Sequence, residues 1–341
     1  MAYGACDTVA ARMTMRIGLI GAGFAGGTHA RACLGIDGVT VAAIATDPVE
    51  HGRQLADECG ARLEKSAASL CAAGDLDVVV VASPTYLHAE HAIAAARGGK
   101  HVFCEKPIAR TLDEGQAIVD ACDRAGAQLA VGQVVRFFPE YRKAKELIDS
   151  GALGKPALAT MTRGTFPVGN ARPWYLDAGR SGRVVLDLML HDLDTLRWWF
   201  GEPTRVYGRM LGGPGGLDYA LATIRYADGP IVHIESSWAE HSGFRTTFEV
   251  RGDAGLVTHD SRAAAPLQTQ FPEGAGGPAV MPASTLLDTP YRRQLREFFR
   301  RVTGGEQPFV SGREALRSLG LALAVLRSTE TGEVVAWTPP V

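Results

Sequence analysis

Asp187 and His191 carry the most legible chemistry in this 341-residue chain. Both fall in residues 184–200, which read as one long helix. An i, i+4 spacing puts them on one face of it, close enough for the carboxylate to orient the imidazole. Histidine titrates nearest neutral pH, so the pair suits proton transfer. Lys106 is the third candidate. It is one of only six lysines beside 29 arginines, and it sits just after a strand and before Pro107. At the carboxyl edge of an open α/β sheet, where ligands bind, its charge can favour a developing negative oxygen. A fourth feature is Gly21-Ala22-Gly23-Phe24-Ala25-Gly26, directly after an apolar strand and opening a helix. Gly21 permits the tight turn, Gly23 lets the backbone approach a pyrophosphate, and Gly26 allows close helix–strand packing, with the helix N-terminus facing the phosphates.

The elements that position these residues follow from hydrophobic patterning. Residues 16–20, 39–45, 77–82, 101–104 and 128–131 read as strands with helical patterns between them, which predicts βαβ units and a doubly wound parallel sheet. Past residue 134 the pattern changes. A helix near 139–148 is followed by long alternating strands at 157–165, 205–210, 219–226, 231–238 and 244–251, the signature of a largely antiparallel sheet buried on one face. Residues 263–282, rich in Ala, Gly and Pro, read as a surface loop. Residues 291–301 are basic, but Leu295, Phe298, Phe299 and Val302 recur at helical spacing, so an amphipathic helix is expected there. The fold class is α/β: a dinucleotide-binding unit over 15–133, then an α+β substrate and oligomerisation domain with a large open sheet over 134–341. Residues 1–14 read as a disordered or tag-like tail, with Met13 or Met15 as an alternative start.

Composition narrows the function. Apolar residues are 46%, charged residues 21% and the formal charge is -2, so nothing supplies the positive field a nucleic acid requires. No apolar run approaches the ~20 residues of a membrane helix. All six cysteines lie within the first 122 residues and none forms a C-x-x-C, which argues for reduced, mostly buried thiols in a cytoplasm rather than a zinc site or disulfide framework. Asp187, His191, Asp192 and Asp194 carry donor atoms, but no second His or Cys stands near them, so no metal site is expected.

Together these motifs make the chain recognisable. Gly21 to Gly26, Ser83-Pro84-Thr85 with His88, Lys100-His101-Val102 leading to Glu105-Lys106-Pro107, Gln133 to Phe137, and Asp187 to Asp192 within 182–201 stand in order along it, with Gly252 to Gly255 and Tyr291 later. The sequence resembles the glucose-fructose oxidoreductase and inositol dehydrogenase family (Gfo/Idh/MocA), NAD(P)-dependent oxidoreductases of sugars and polyols. The resemblance implies a Rossmann fold, a catalytic group of Lys106, Asp187 and His191, and a nicotinamide side lined by Ser83, Pro84, Thr85, His88 and Glu105. The expected reaction moves a hydride between nicotinamide and a secondary alcohol or ketone of a sugar, cyclitol or other polyol. His191 would act as the acid-base group and Lys106 as the donor to the substrate oxygen. The alternatives are a sugar- or nucleotide-sensing protein on the same fold, or a reductase of a dihydrodiol or imine.

Finer expectations attach to single residues. Asp47, 21 residues past Gly26 at the end of the second strand, is placed to bond the adenosine 2′-hydroxyl, favouring NAD; a register with Thr46 there would leave room for NADP. Arg183 and Met189 stand where the family often has glycine, and Arg183 is a candidate for the active-site mouth. Arg172, Trp174, Tyr175 and Tyr291 are candidate substrate contacts. Trp198 and Trp199 are expected to anchor the catalytic helix. A homodimer or homotetramer is expected from the resemblance and from the one-faced sheet.

Overall fold

The structure is a computed structural model that describes residues 15–165, 173–213, 216–240, 243–263, 267–270, 280–281 and 288–340. The expectations for residues 1–14 and for Arg172 lie outside them. Strands β1 (Met15–Ile20), β2 (Val39–Ala45), β3 (Arg62–Leu63), β4 (Val78–Val81), β5 (His101–Cys104) and β6 (Leu129–Val131) alternate with helices α1 (Phe24–Leu34), α2 (Arg53–Cys59), α3 (Ala67–Ala72), α4 (His88–Arg97) and α5 (Leu112–Ala125). All six strands are parallel, in the order β3-β2-β1-β4-β5-β6. Strand β4 is four valines, every one buried, as a strand covered on both faces requires. The order reverses between β1 and β4, which opens a crevice at the carboxyl ends of β1, β4 and β5.

Helix α6 (Pro139–Asp149), β7 (Pro156–Gly164) and α7 (Ala178–Ser181) come next, then a π-helical segment, Val185–Met189, that runs directly into α8 (Leu190–Phe200). Four long strands follow, β8 (Arg205–Gly212), β9 (Asp218–Arg225), β10 (Ile231–Ser237) and β11 (Arg245–Gly252), then β12 (Leu256–Asp260), β13 (Leu267–Gln270) and β14 (Val280–Met281). Helices α9 (Pro290–Gly304) and α10 (Gly312–Thr331) and the short β15 (Val335–Ala336) end the described chain. The second sheet has nine strands in the order β14-β13-β12-β11-β7-β10-β9-β8-β15, antiparallel except for the β7–β10 pair. Burial alternates along β9 and β10, so one face is covered and the other open.

Two departures from expectation bear on how the units are built. Residues 263–282 are not simply a loop, because β13 and β14 extend the sheet within them. The last helices also do not stay with the second sheet alone: α9 packs on the first unit, and α10 lies against both α5 of the first unit and β8 of the second sheet. Leu295, Phe298 and Phe299 of α9 pack into the same cluster as Ile17, Val80 and Phe103, and the Val131 amide donates to the Val310 carbonyl just before α10. Among the described residues no helix is long and apolar enough to cross a membrane.

Candidate active site

The glycine turn after β1 behaves as its spacing predicts. Gly21 has φ 97°, and a Cβ there would lie 2.5 Å from the Ala82 carbonyl oxygen. A Cβ on Gly26 would lie 1.9 Å from the Gly21 carbonyl oxygen, so the helix rests directly on its own entry turn. At Gly23, the N-cap of α1, a Cβ would meet nothing within 4 Å. Open space therefore stands at a helix N-terminus where a pyrophosphate would approach, and the residues present fit a dinucleotide. Phe24 is exposed and Ala25 half-buried beside it. At the end of β2, Asp47 is exposed, whereas the Thr46 hydroxyl is turned back to accept from the Ala22 amide at 3.3 Å.

Ser83, Pro84 and Thr85 follow β4, and Glu105-Lys106-Pro107 follows β5, at the same edge. Two residues expected to line the nicotinamide side are turned inward instead. His88, fully enclosed, has one ring nitrogen 2.8 Å from the Pro107 carbonyl oxygen and the other 2.9 Å from that of Ser83. It clasps the two loops together. Burial lowers its affinity for a proton although both carbonyls oppose this. Glu105 is nine-tenths buried, with its carboxylate 2.5 Å from His29 Nε2 and accepting from the Lys106 amide at 2.9 Å. Burial would raise the pKa of Glu105, but the bond to His29 and the neighbouring positive charges outweigh it and hold the acid below its ordinary range. Tyr291 is likewise behind the site rather than at its mouth, packed edge-on against His29 with ring centroids 5.7 Å apart.

Lys106 meets Asp187 across the crevice. Its ammonium donates to the Asp187 carbonyl at 2.7 Å and to Oδ1 at 3.1 Å. Oδ2 accepts from the indole N–H of Trp238 at 3.0 Å, a residue not among the sequence candidates. The expected Asp187–His191 bond is absent. Asp187 lies at the centre of the π segment, and its two carboxylate oxygens are already taken, one by Lys106 and one by Trp238. His191 begins α8 with Nδ1 buried and unpartnered among the described residues. Burial, then the charges of Lys106 and Arg163, hold its imidazole well below the ordinary histidine range, so it is neutral at pH 7.

Buried ion pairs fix the helix that presents His191. Asp192 takes Arg163 of β7 with both oxygens at 3.0 and 2.7 Å, and Asp194 takes Arg136 at 2.7 and 2.8 Å. These carboxylates are structural partners, not a vacant ligand set. Breaking either pair would strand a buried charge, at a cost of about 3–5 kcal/mol. Trp199 is buried as expected, and Trp198 packs edge-on against Phe309. Arg183 does not enter the mouth: its guanidinium is paired with the fully buried Asp218 and donates to the Leu176 carbonyl at 3.0 Å. Met189 is fully buried, the last residue of the π segment. Trp174 and Tyr175 pack at a tilt with ring centroids 4.1 Å apart, with Tyr175 edge-on to Trp238 at 5.7 Å.

With two sheets joined at such a crevice, comparison with known proteins is decisive. Residues 15–133 match the model of the oxidoreductase family with an NAD-binding Rossmann fold, and residues 141–258 match the GFO/IDH/MocA C-terminal domain. The chain belongs to the Gfo/Idh/MocA family of NAD-binding oxidoreductases. It is 29% identical over 327 residues, 93% of this chain and 96% of the relative, to a myo-inositol 2-dehydrogenase of Thermotoga maritima. It is 32% identical to inositol 2-dehydrogenase 4 of Saccharopolyspora erythraea, covering 72% of this chain and 76% of that one. A levoglucosan dehydrogenase solved with NADH and L-sorbose superposes with a TM-score of 0.85 over 96% of this chain and 100% of that chain at 24% identity, a likeness of fold.

Proposed function

We propose that this enzyme oxidises a secondary alcohol of a cyclitol, sugar or related polyol with NAD, and reduces the ketone in reverse. The observation that carries the reading is the contact of Lys106 with Asp187 at the crevice, with a buried, unpartnered His191 close enough to feel the Lys106 charge. Relatives named as inositol dehydrogenases support the substrate class. Bound NAD supplies the hydride acceptor. The chain supplies the rest: neutral His191 takes the hydroxyl proton, and Lys106, steered by Asp187, donates to the oxygen as negative charge develops on it. Trp174 and Tyr175 offer apolar faces to a ring substrate. A panel of inositols, aldoses and anhydrosugars assayed by NADH absorbance tests this. Turnover of a cyclitol or sugar is expected; NADH binding without turnover of any would favour a sensor.

NAD rather than NADP is supported by the exposed Asp47 at the end of β2. Asp47→Ala is expected to cut the NAD/NADP preference in kcat/KM by about tenfold, the scale of one partly solvated like-charge repulsion. An unchanged ratio would transfer the ribose contact to Thr46. A homodimer or homotetramer built on the open sheet face is supported by exposed Leu211, Tyr219, Leu221 and Ile231. A cytoplasmic setting is supported by Cys33, Cys59, Cys71, Cys104 and Cys122, all free thiols.

A further inference from the structure

Trp238, at the end of β10, is one of the largest fully enclosed side chains in the protein. Its two N–H groups have distinct partners: the indole donates to Asp187 Oδ2, and the backbone amide donates to the Asp218 carbonyl at 2.8 Å. Asp218 is itself completely buried, and the Arg183 guanidinium grips both of its carboxylate oxygens. Arg183 adopts φ 57°, left-handed backbone in which glycine would be relaxed. The chain thus keeps an arginine at a strained position, and that arginine ties the segment before the π turn to the strand that seats Trp238.

We propose that Trp238 is a positioning residue of the reaction: its indole N–H fixes the Asp187 carboxylate on Lys106 and away from His191, with the Arg183–Asp218 pair holding the indole in place. The proposal rests on the roles given above to Lys106 and His191. A carboxylate is free to turn about its terminal torsion, and two donors, Lys106 and the indole, hold this one. Lys106 holds Oδ1 and the indole holds Oδ2, so neither oxygen is left to turn toward His191. The groups facing His191 are then Lys106 and Arg163, both positive, with Asp192 already taken by Arg163. With no anion beside it the imidazole stays neutral and ready to accept a proton. Were Asp187 to bond His191, it would favour the imidazolium and leave less free base at neutral pH.

Trp238→Phe keeps a ring in the space and removes only the donor. The readout is the titration of His191 followed by NMR in histidine-labelled, ligand-free protein, the signal being assigned with His191→Asn. Wild-type His191 is expected to stay neutral across roughly pH 6 to 8, and in Trp238→Phe its midpoint should rise by about one pH unit or more. The acid limb of kcat should rise with it and kcat fall about tenfold, while the calorimetric Kd for NADH stays within about twofold. Arg183→Gly, which suits the backbone, should move the midpoint the same way by a smaller step, and it decides the matter if Trp238→Phe does not fold. A folded variant with His191 unmoved would overturn the proposal, even if activity were lost. Absence of turnover in the wild type would instead defeat the catalytic reading, leaving the titration to judge the indole.

Discussion

Lys106→Ala is expected to lower kcat about 10³-fold, within the range for removing a donor aimed at a developing oxyanion. The loss should be this large because no other cation described near the site is free to substitute. Arg163 is committed to Asp192, Arg136 to Asp194 and Arg183 to Asp218. Lys106→Arg should recover little, since a planar fork cannot reproduce a point charge that donates to both the Asp187 carbonyl and its side chain. His191→Ala is expected to lose about 10²–10⁴-fold as a removed general base does. Steady-state kinetics on the best substrate of the panel, with NADH affinity as the control, check both. NADH affinity should change little, because these side chains stand beyond the glycine turn. A near-normal kcat in His191→Ala would make Lys106 the proton-transfer group.

Gly23→Val is expected to abolish NADH binding, a loss of at least about 100-fold, with the fold intact. A Cβ there meets nothing within 4 Å beyond the adjoining residues, so the collision expected is with the ligand. Gly26→Ala should behave differently, because its Cβ would lie 1.9 Å from a backbone oxygen that cannot turn aside. It should lose thermal stability as well as affinity. Calorimetry with NADH beside thermal unfolding separates the two, and a Gly23→Val protein that binds normally would remove the pyrophosphate from this turn.

How much of this was legible in the sequence differs from element to element. The parallel strands announced themselves because a strand covered on both faces must be apolar throughout, as Val78–Val81 is. The two residues of β3 are too short to leave a period, and β13 and β14 were hidden by the Ala, Gly and Pro around them. The glycine turn could be assigned residue by residue because each glycine answers a separate steric demand. Lys106, Asp187 and His191 could be named as candidates, but their wiring could not. Spacing assumes an α-helix from 184 to 200, and nothing in the run Val185–Met189 marks a wider turn. What decides the wiring is that Lys106 and Trp238, both distant in sequence, take the Asp187 oxygens, which leaves His191 Nδ1 without a partner among the described residues. Trp238 escaped for another reason: it is distant in sequence, and a tryptophan at a strand end reads as packing until its N–H is seen on a carboxylate. His88 and Glu105 belonged to the right motifs, yet motif membership does not say whether a side chain faces the ligand or braces the loop behind it.

The return of α9 to the first sheet bears on how the chain is made. Ile17, Val80 and Phe103 leave the ribosome before Leu295, Phe298 and Phe299, which cover them and come nearly two hundred residues after the last of these. The nucleotide-binding unit is contiguous as a family segment and discontinuous as a folding unit. Through most of synthesis its α1 side carries an uncovered apolar surface, and cutting the chain after residue 133 would make that exposure permanent. The first sheet therefore closes its core only once α9, on the far side of the second sheet in sequence, has been made.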